Sequence, residues 1–255
     1  MSSKFQKTTA QETPFITFSA RGLLLHDTPS FEKWCFSYLY AKNPKLTEAE
    51  FRKVLLAEWR ALPERLEERP SRSHAEVLVI ESLVNRLHPG GAEDAIAAYK
   101  SSPTKIVIPR ETFECLEVLR NRSYRLAVVS NEGAELVGVF RVHQLLDFFE
   151  FILTADDVAS PKPSKDIFAL ALEEFGAQAV QAKHVGDRFA FDVIGPKALG
   201  MGCLLYDPHG YERDLFGAGT EISGKVVSLL EHRLAKNLEG VVRFEKASEV
   251  LEIFK

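Results

Sequence analysis

His184-Val185-Gly186-Asp187-Arg188-Phe189-Ala190-Phe191-Asp192-Val193, followed by Gly195 and Ala198-Leu199-Gly200-Met201, is the stretch that decides how this chain is read. A short strand runs into Gly-Asp, and a second aspartate follows five residues on. A helix is then predicted over about 191–199, stopping at the glycine before Met201. Two carboxylates at a strand end are the hard oxygen donors that a small divalent cation requires. Two upstream segments share this form. Phe15-Ile16-Thr17-Phe18 leads through Ser19-Ala20-Arg21 to Gly22, and Leu126-Ala127-Val128-Val129 ends in Ser130-Asn131. A hydroxyl and backbone N–H groups at such a turn make a small anion nest. Between them and the first stretch lies Ser160-Pro161-Lys162-Pro163, where two flanking prolines stiffen the loop that carries a lysine.

Working outward, the chain has a polar tail over residues 1–13 and an apolar strand at about 15–20. A helical region then runs over 28–102. In it Phe31, Trp34, Cys35 and Tyr38 recur at helical spacing, as do Phe51, Val54, Leu55, Trp59 and Leu62. Thr47 and Glu50 form a capping box, and Pro89-Gly90-Gly91 punctuates the run. From about residue 104 helix and strand alternate. Strands are predicted at 124–129, 150–153, 184–185, 203–206 and 240–244. Helices are predicted at 111–120, from about 134, after Ser164, at 191–199, at about 226–236 and at the C-terminal end, near Phe254. Strands separated by helices of this length imply βαβ units and a parallel sheet, with function at the strands' carboxyl ends. The fold class is therefore α/β, a Rossmannoid parallel sheet formed by residues 14–27 and 103–255 with an inserted helical cap at 28–102.

Composition narrows the function classes. The 255 residues are 45% hydrophobic and 27% charged, with a formal net charge of -4. That balance gives no electrostatic drive toward nucleic acid or an anionic membrane. No apolar run approaches the ~20 residues that cross a bilayer. The first residues lack the apolar centre of a secretory signal, so a cytoplasmic location is expected. Cys35, Cys115 and Cys203 have neither paired nor metal-ligand spacing and read as buried thiols. The same holds for metal spacing at His26, His143, His184 and His209. Trp34 and Trp59 fall on apolar helical stripes and read as cap core, and Phe189 and Phe191 read as packing against the sheet.

Taken together and in order, these four segments resemble the motifs of the haloacid dehalogenase (HAD) superfamily of phosphohydrolases, over nearly the whole chain after the tail. The resemblance implies that Ser130 donates to a phosphate, that Lys162 neutralises it, and that Asp187 and Asp192 stand at the magnesium positions. It also exposes a departure. Where the family has Asp-x-Asp, nucleophile and general acid/base, this chain has Ser19 and Arg21. Arg21 is always protonated and can be neither base nor acid. The charges of Arg21, Lys162, Asp187 and Asp192 cancel without a metal, so Arg21 stands in for the cation. Asp27 reads as a polar turn residue.

The expected function is accordingly a catalytically degenerate module that binds a phosphate or other anion through Ser130, Asn131, Lys162 and Arg21, or that regulates a protein partner. Asp187 and Asp192 remain as an unused metal remnant, and no cofactor is expected. The alternative is a hydrolase of a small phosphorylated metabolite by a non-standard mechanism, using Ser19 or a water as the nucleophile, with magnesium expected only in that case.

Overall fold

The structure, a computed structural model, describes residues 14–62, 65, 72–210 and 240–254. Six strands make one parallel sheet: β1 (Phe15–Phe18), β4 (Arg125–Val129), β5 (Ile152–Leu153), β6 (Ala182–Gly186), β7 (Gly202–Tyr206) and β8 (Val241–Phe244). Their spatial order is β5-β4-β1-β6-β7-β8. β1 and β4 are short, largely apolar runs, as strands covered on both faces tend to be. All four residues of β1 are buried, Phe18 pairing with Val128 on one side and Val185 on the other. The chain fills one side of β1 with β4 and β5, then crosses to place β6, β7 and β8 on the other. The carboxyl ends of β1, β4 and β6 therefore meet at the point where the winding reverses, where open α/β sheets bind ligands.

Helices cover the sheet: α5 (Arg110–Asn121), α6 (Leu136–Val142), α7 (Asp166–Phe175), α8 (Phe189–Asp192), α9 (Ile194–Leu199) and α10 (Ala247–Ile253). α7 buries Ile167, Phe168, Ala171 and Phe175, and it stops at Gly176, whose φ of 64° suits the left-handed cap. Between β1 and α5 lies the helical insert of α1 (Phe31–Lys42), α2 (Glu48–Ala61), α3 (Arg72–Leu87) and α4 (Ala92–Ser101). These helices close around their own apolar cluster, including Phe31, Leu39, Phe51, Leu55 and Leu83. The Thr47–Glu50 capping box starts α2, with both reciprocal hydrogen bonds formed.

The elements depart from the sequence-based reading in several places. A two-stranded antiparallel ribbon, β2 (His26–Thr28) with β3 (Lys105–Val107), frames the insert. At three residues each, these strands carry no readable alternation. The single helix predicted over 191–199 is two, α8 and α9, separated at Val193. Pro196 has no N–H to donate to the carbonyl four residues back, at Asp192, so the helix must restart. β5 has two residues where four were expected, and His184 lies inside β6 and not at its end. Phe189 packs near β7 with Cys203 and Leu205, whereas Phe191 turns away and joins the insert's cluster. The helix predicted at 226–236 lies outside the described residues. Among the described residues no helix is long and apolar enough to cross a membrane.

Candidate active site

Ser19, Ser130 and Asp187 each stand one residue beyond a strand end, and Lys162 comes in on the loop after β5. Together with Arg21, Asn131, Glu132, Arg188, Phe191, Asp192 and, from the insert, Trp59 and Ala75, they line one cavity. Its accessible space is about 30 Å³, room for a water or two, with Trp59 and Ala75 of the insert on one wall.

The floor of the cavity is a continuous polar chain. Lys162 is 3% exposed, and its Nζ donates to Ser19 Oγ at 3.0 Å and to Asp192 Oδ1 at 2.8 Å. The same Oδ1 lies 3.2 Å from His184 Nε2, and His184 Nδ1 lies 2.8 Å from Thr17 Oγ1. Asp192 Oδ2 accepts from the backbone N–H groups of Asp187 and Arg188, each at 3.0 Å. Burial would push the Asp192 carboxyl up, but the Lys162 charge and the His184 contact outweigh it and hold it well below the usual carboxylate range. With Asp192 ionised, His184 Nε2 must carry the proton, and Nδ1 then accepts from the Thr17 hydroxyl. Burial lowers the His184 pKa, so the ring is neutral at pH 7. Gly186 has no side chain for a physical reason: a Cβ there would collide with the Asp192 carboxylate.

Arg21 is held on two sides. It pairs with Asp27 through Nη1, and its Nε and Nη2 reach Glu132 Oε1 and Oε2 at 2.6 and 3.2 Å. This is the bidentate fork that a guanidinium makes with a carboxylate. Gly22, at φ 93°, lets the loop turn back against Asp187, where a Cβ would come within 2.5 Å of the Asp187 Cβ. Asp27 and Glu132 are thus the site residues that sequence reasoning missed. Asp27 is no mere turn residue, and the cancelling charge count is corrected by these two carboxylates. Glu132 follows Ser130-Asn131 directly, but nothing in one dimension brings it to a residue 111 positions away.

Asn131 is also placed differently from expectation. Its Nδ2 donates to the Lys162 carbonyl at 2.7 Å and its Oδ1 accepts from the Lys162 N–H at 2.9 Å. The amide positions the Lys162 loop. Arg188 links floor to roof: Nη2 donates to Glu32 Oε1 on α1 at 2.6 Å, and its guanidinium carbon lies 4.5 Å from the centre of the Trp59 ring.

Several oxygen donors that a magnesium ion would need are committed to other partners. Magnesium needs near-octahedral oxygen ligands and carboxylates to offset its dehydration. Both oxygens of Asp192 are committed to Lys162, His184 and two backbone N–H groups, and both of Glu132 to Arg21. Ser19 and the Arg21 cation replace two further oxygen donors. Among the described residues no group of three or more His, Cys, Asp and Glu side chains is disposed to share a metal ion. The three cysteines are buried and far apart; burial pushes Cys115 and Cys203 up to about 12 and removes them from any thiolate chemistry.

Comparison with known proteins then gives four findings. A family model described as haloacid dehalogenase-like hydrolase matches residues 24–206, beginning just past Ser19 and Arg21. Human haloacid dehalogenase-like hydrolase domain-containing protein 3 is 33% identical over 135 residues, covering 49% of this chain and 54% of that protein. The 5-amino-6-(5-phospho-D-ribitylamino)uracil phosphatase YigB of Escherichia coli is 32% identical over 123 residues, covering 47% and 49%. The chain thus spans about half the length of these curated relatives. An HAD phosphatase from Thermococcus onnurineus shares the fold, with a TM-score of 0.53 over 95% of this chain and 97% of that one at 20% identity. The expectation of a degenerate binding module is overturned here: a model of hydrolases spans most of the chain, and the relatives carry hydrolase and phosphatase names. That expectation weighed the exchanges at Ser19 and Arg21 and the summed charge of Arg21, Lys162, Asp187 and Asp192, and read Asp27 as a turn residue.

Proposed function

Because this chain belongs to the haloacid dehalogenase-like hydrolase family, we propose that it hydrolyses the phosphate ester of a small metabolite, with Arg21 supplying the positive charge that a divalent cation would otherwise bring. One observation carries the reading. Two fixed cations, the Lys162 ammonium and the Arg21 guanidinium, line one small cavity with the Ser130 hydroxyl and the carboxylate of Asp187. Donors fixed in place stabilise developing phosphoryl charge without reorganising.

The nucleophile is a water. Ser19 Oγ has Lys162 Nζ at 3.0 Å, and that ammonium is paired with a carboxylate held ionised. It is a proton donor to Ser19, and a serine needs a proton acceptor to attack. In the water route a P–O bond to water forms as the ester P–O bond breaks. The water's proton passes to Asp187, which the Gly22 turn sets beside the Ser19–Arg21 loop. The departing alkoxide takes a proton from solvent, and inorganic phosphate and an alcohol are released. The accessible space of about 30 Å³ is too small for a metabolite, so the insert must shift to admit substrate.

A panel of phosphorylated metabolites assayed for released phosphate tests this. Wild type should turn over at least one class, Ser19→Ala should keep turnover within about tenfold, and Asp187→Asn should lose ~100-fold or more, as general-base variants do. Absence of turnover across the panel contradicts hydrolysis, and abolition by Ser19→Ala contradicts the water route.

A further inference from the structure

We infer that Ser19 is an anion-binding residue, its hydroxyl donating to an oxygen of a bound phosphate beside Ser130; the ligand's identity rests on the hydrolase reading above. The direction of each hydrogen bond behind Ser19 leads there. The ionised Asp192 carboxylate only accepts, so His184 Nε2 donates to its Oδ1 at 3.2 Å. His184 Nδ1 then accepts, and the Thr17 hydroxyl donates to it at 2.8 Å. The Lys162 ammonium only donates, to Asp192 Oδ1 at 2.8 Å and to Ser19 Oγ at 3.0 Å. Ser19 Oγ is therefore an acceptor in this chain, and its own proton has no place in it. Among the described residues Lys162 is the one partner of that oxygen. The Ser19 N–H is spent on the Val185 carbonyl at 2.8 Å. The hydroxyl proton is what this residue brings to the cavity it lines.

Ser130, at the end of the neighbouring strand, repeats the arrangement. Its N–H goes to the Leu153 carbonyl at 2.9 Å, and its Oγ accepts from the Glu132 N–H at 3.2 Å. Both serines are buried, at 7% and 3% exposure, and both line the same cavity. Each hydroxyl thus accepts from behind and keeps a proton that the protein's own bonds do not use. Buried donors left unmade are costly and normally find partners. Beside the Lys162 and Arg21 charges, the group that takes two such protons is an oxyanion, which offers acceptors alone. A hydroxyl suits this place where a carboxylate would repel the anion.

The test measures binding, so that it reads separately from turnover. Calorimetry with inorganic phosphate in excess chelator compares wild type, Ser19→Ala and Ser19→Thr. Ser19→Ala should bind about tenfold more weakly, as the loss of one hydrogen bond to a charged group predicts. Ser19→Thr keeps the hydroxyl and should stay within about threefold of wild type. Unchanged binding by Ser19→Ala overturns the inference. Equal losses in the two variants assign Ser19 to packing and overturn it as well. So does wild type that fails to bind phosphate at about 10 mM. Should Ser19→Ala fold poorly, Ser19→Cys keeps the shape with a weak donor. It should show the same loss, and wild-type binding by it overturns the inference. Phosphate binding that depends on the Ser19 hydroxyl, with no ester hydrolysed across the panel, would keep this role and remove the hydrolase reading. Turnover by wild type with unchanged binding by Ser19→Ala would do the reverse.

Discussion

The floor and the roof of the cavity are built on opposite principles. On the floor charges are paired: Lys162, Asp192, His184 and Thr17 form one buried chain, and Arg21 is clamped between Asp27 and Glu132. The insert brings the Trp59 ring and Ala75 to the pocket, with the Glu32–Arg188 ion pair beside them. A satisfied polar network is rigid and holds one geometry, which suits the part common to every phosphate ester. A largely apolar wall discriminates by shape and by what it leaves unpaired.

The largest expected effect breaks the floor. Lys162→Met strands the ionised Asp192 in a site where it is 1% exposed, and losing one partner of a buried pair costs about 3–5 kcal/mol. Urea unfolding should show it, and Lys162→Met combined with Asp192→Asn should recover much of the loss. A single variant as stable as wild type would mean that the chain is not a rigid unit.

Next in size, Arg21→Gln removes the fixed charge and should lower kcat/KM by ~100-fold, the usual effect of deleting one transition-state donor, with the melting temperature little changed. An unaltered rate would confine Arg21 to tying Asp27 to Glu132.

The pH dependence sharpens the same contrast. His184 is lowered below its ordinary 6.5 by burial, with Asp192, Thr17, Lys162 and Phe168 around it. Its unfolded form takes up a proton as pH falls through 6.5, and the folded form resists. Stability is therefore fully present above about 6.5 and declines as pH drops toward the folded pKa. His26, also lowered mainly by burial, adds in the same direction. Thermal melts from pH 7.5 to 5 should show this decline, and His184→Asn should flatten part of it; a flat wild-type profile would place the proton differently.

The smallest effect concerns the roof. Glu32→Gln leaves Arg188 an uncharged acceptor and should ease opening by less than about tenfold. Hydrogen exchange should quicken in α1 and α2 while β1, β4 and β6 stay protected. Equal quickening in the sheet would show that the insert does not open by itself.

How much of this was legible in one dimension follows from range. The βαβ rhythm, the α2 capping box and the strand-end placement of Ser19, Ser130 and Asp187 are local patterns of apolar runs and turns. Residues 26–28 and 105–107 form a ribbon too short to carry a period, and Pro196 broke a helix that its apolar neighbours concealed. In the site, Arg21 was visible as an exchange, but its partners were not. Asp27 looked like a turn, and Glu132 reaches Arg21 only because β4 lies beside β1. Asn131 sat in the right motif with a different task, since only the fold shows the Lys162 backbone against its amide. The resulting error ran in one direction: a site judged by its missing carboxylates was read as degenerate, although the chain matches a family of hydrolases.

The most direct measurement is phosphate release from the best substrate of the panel, wild type side by side in excess chelator and in millimolar magnesium. Fixed positive charge from Arg21 in the cation's place requires rates within about twofold of each other. Turnover that vanishes in chelator and returns with magnesium would contradict it.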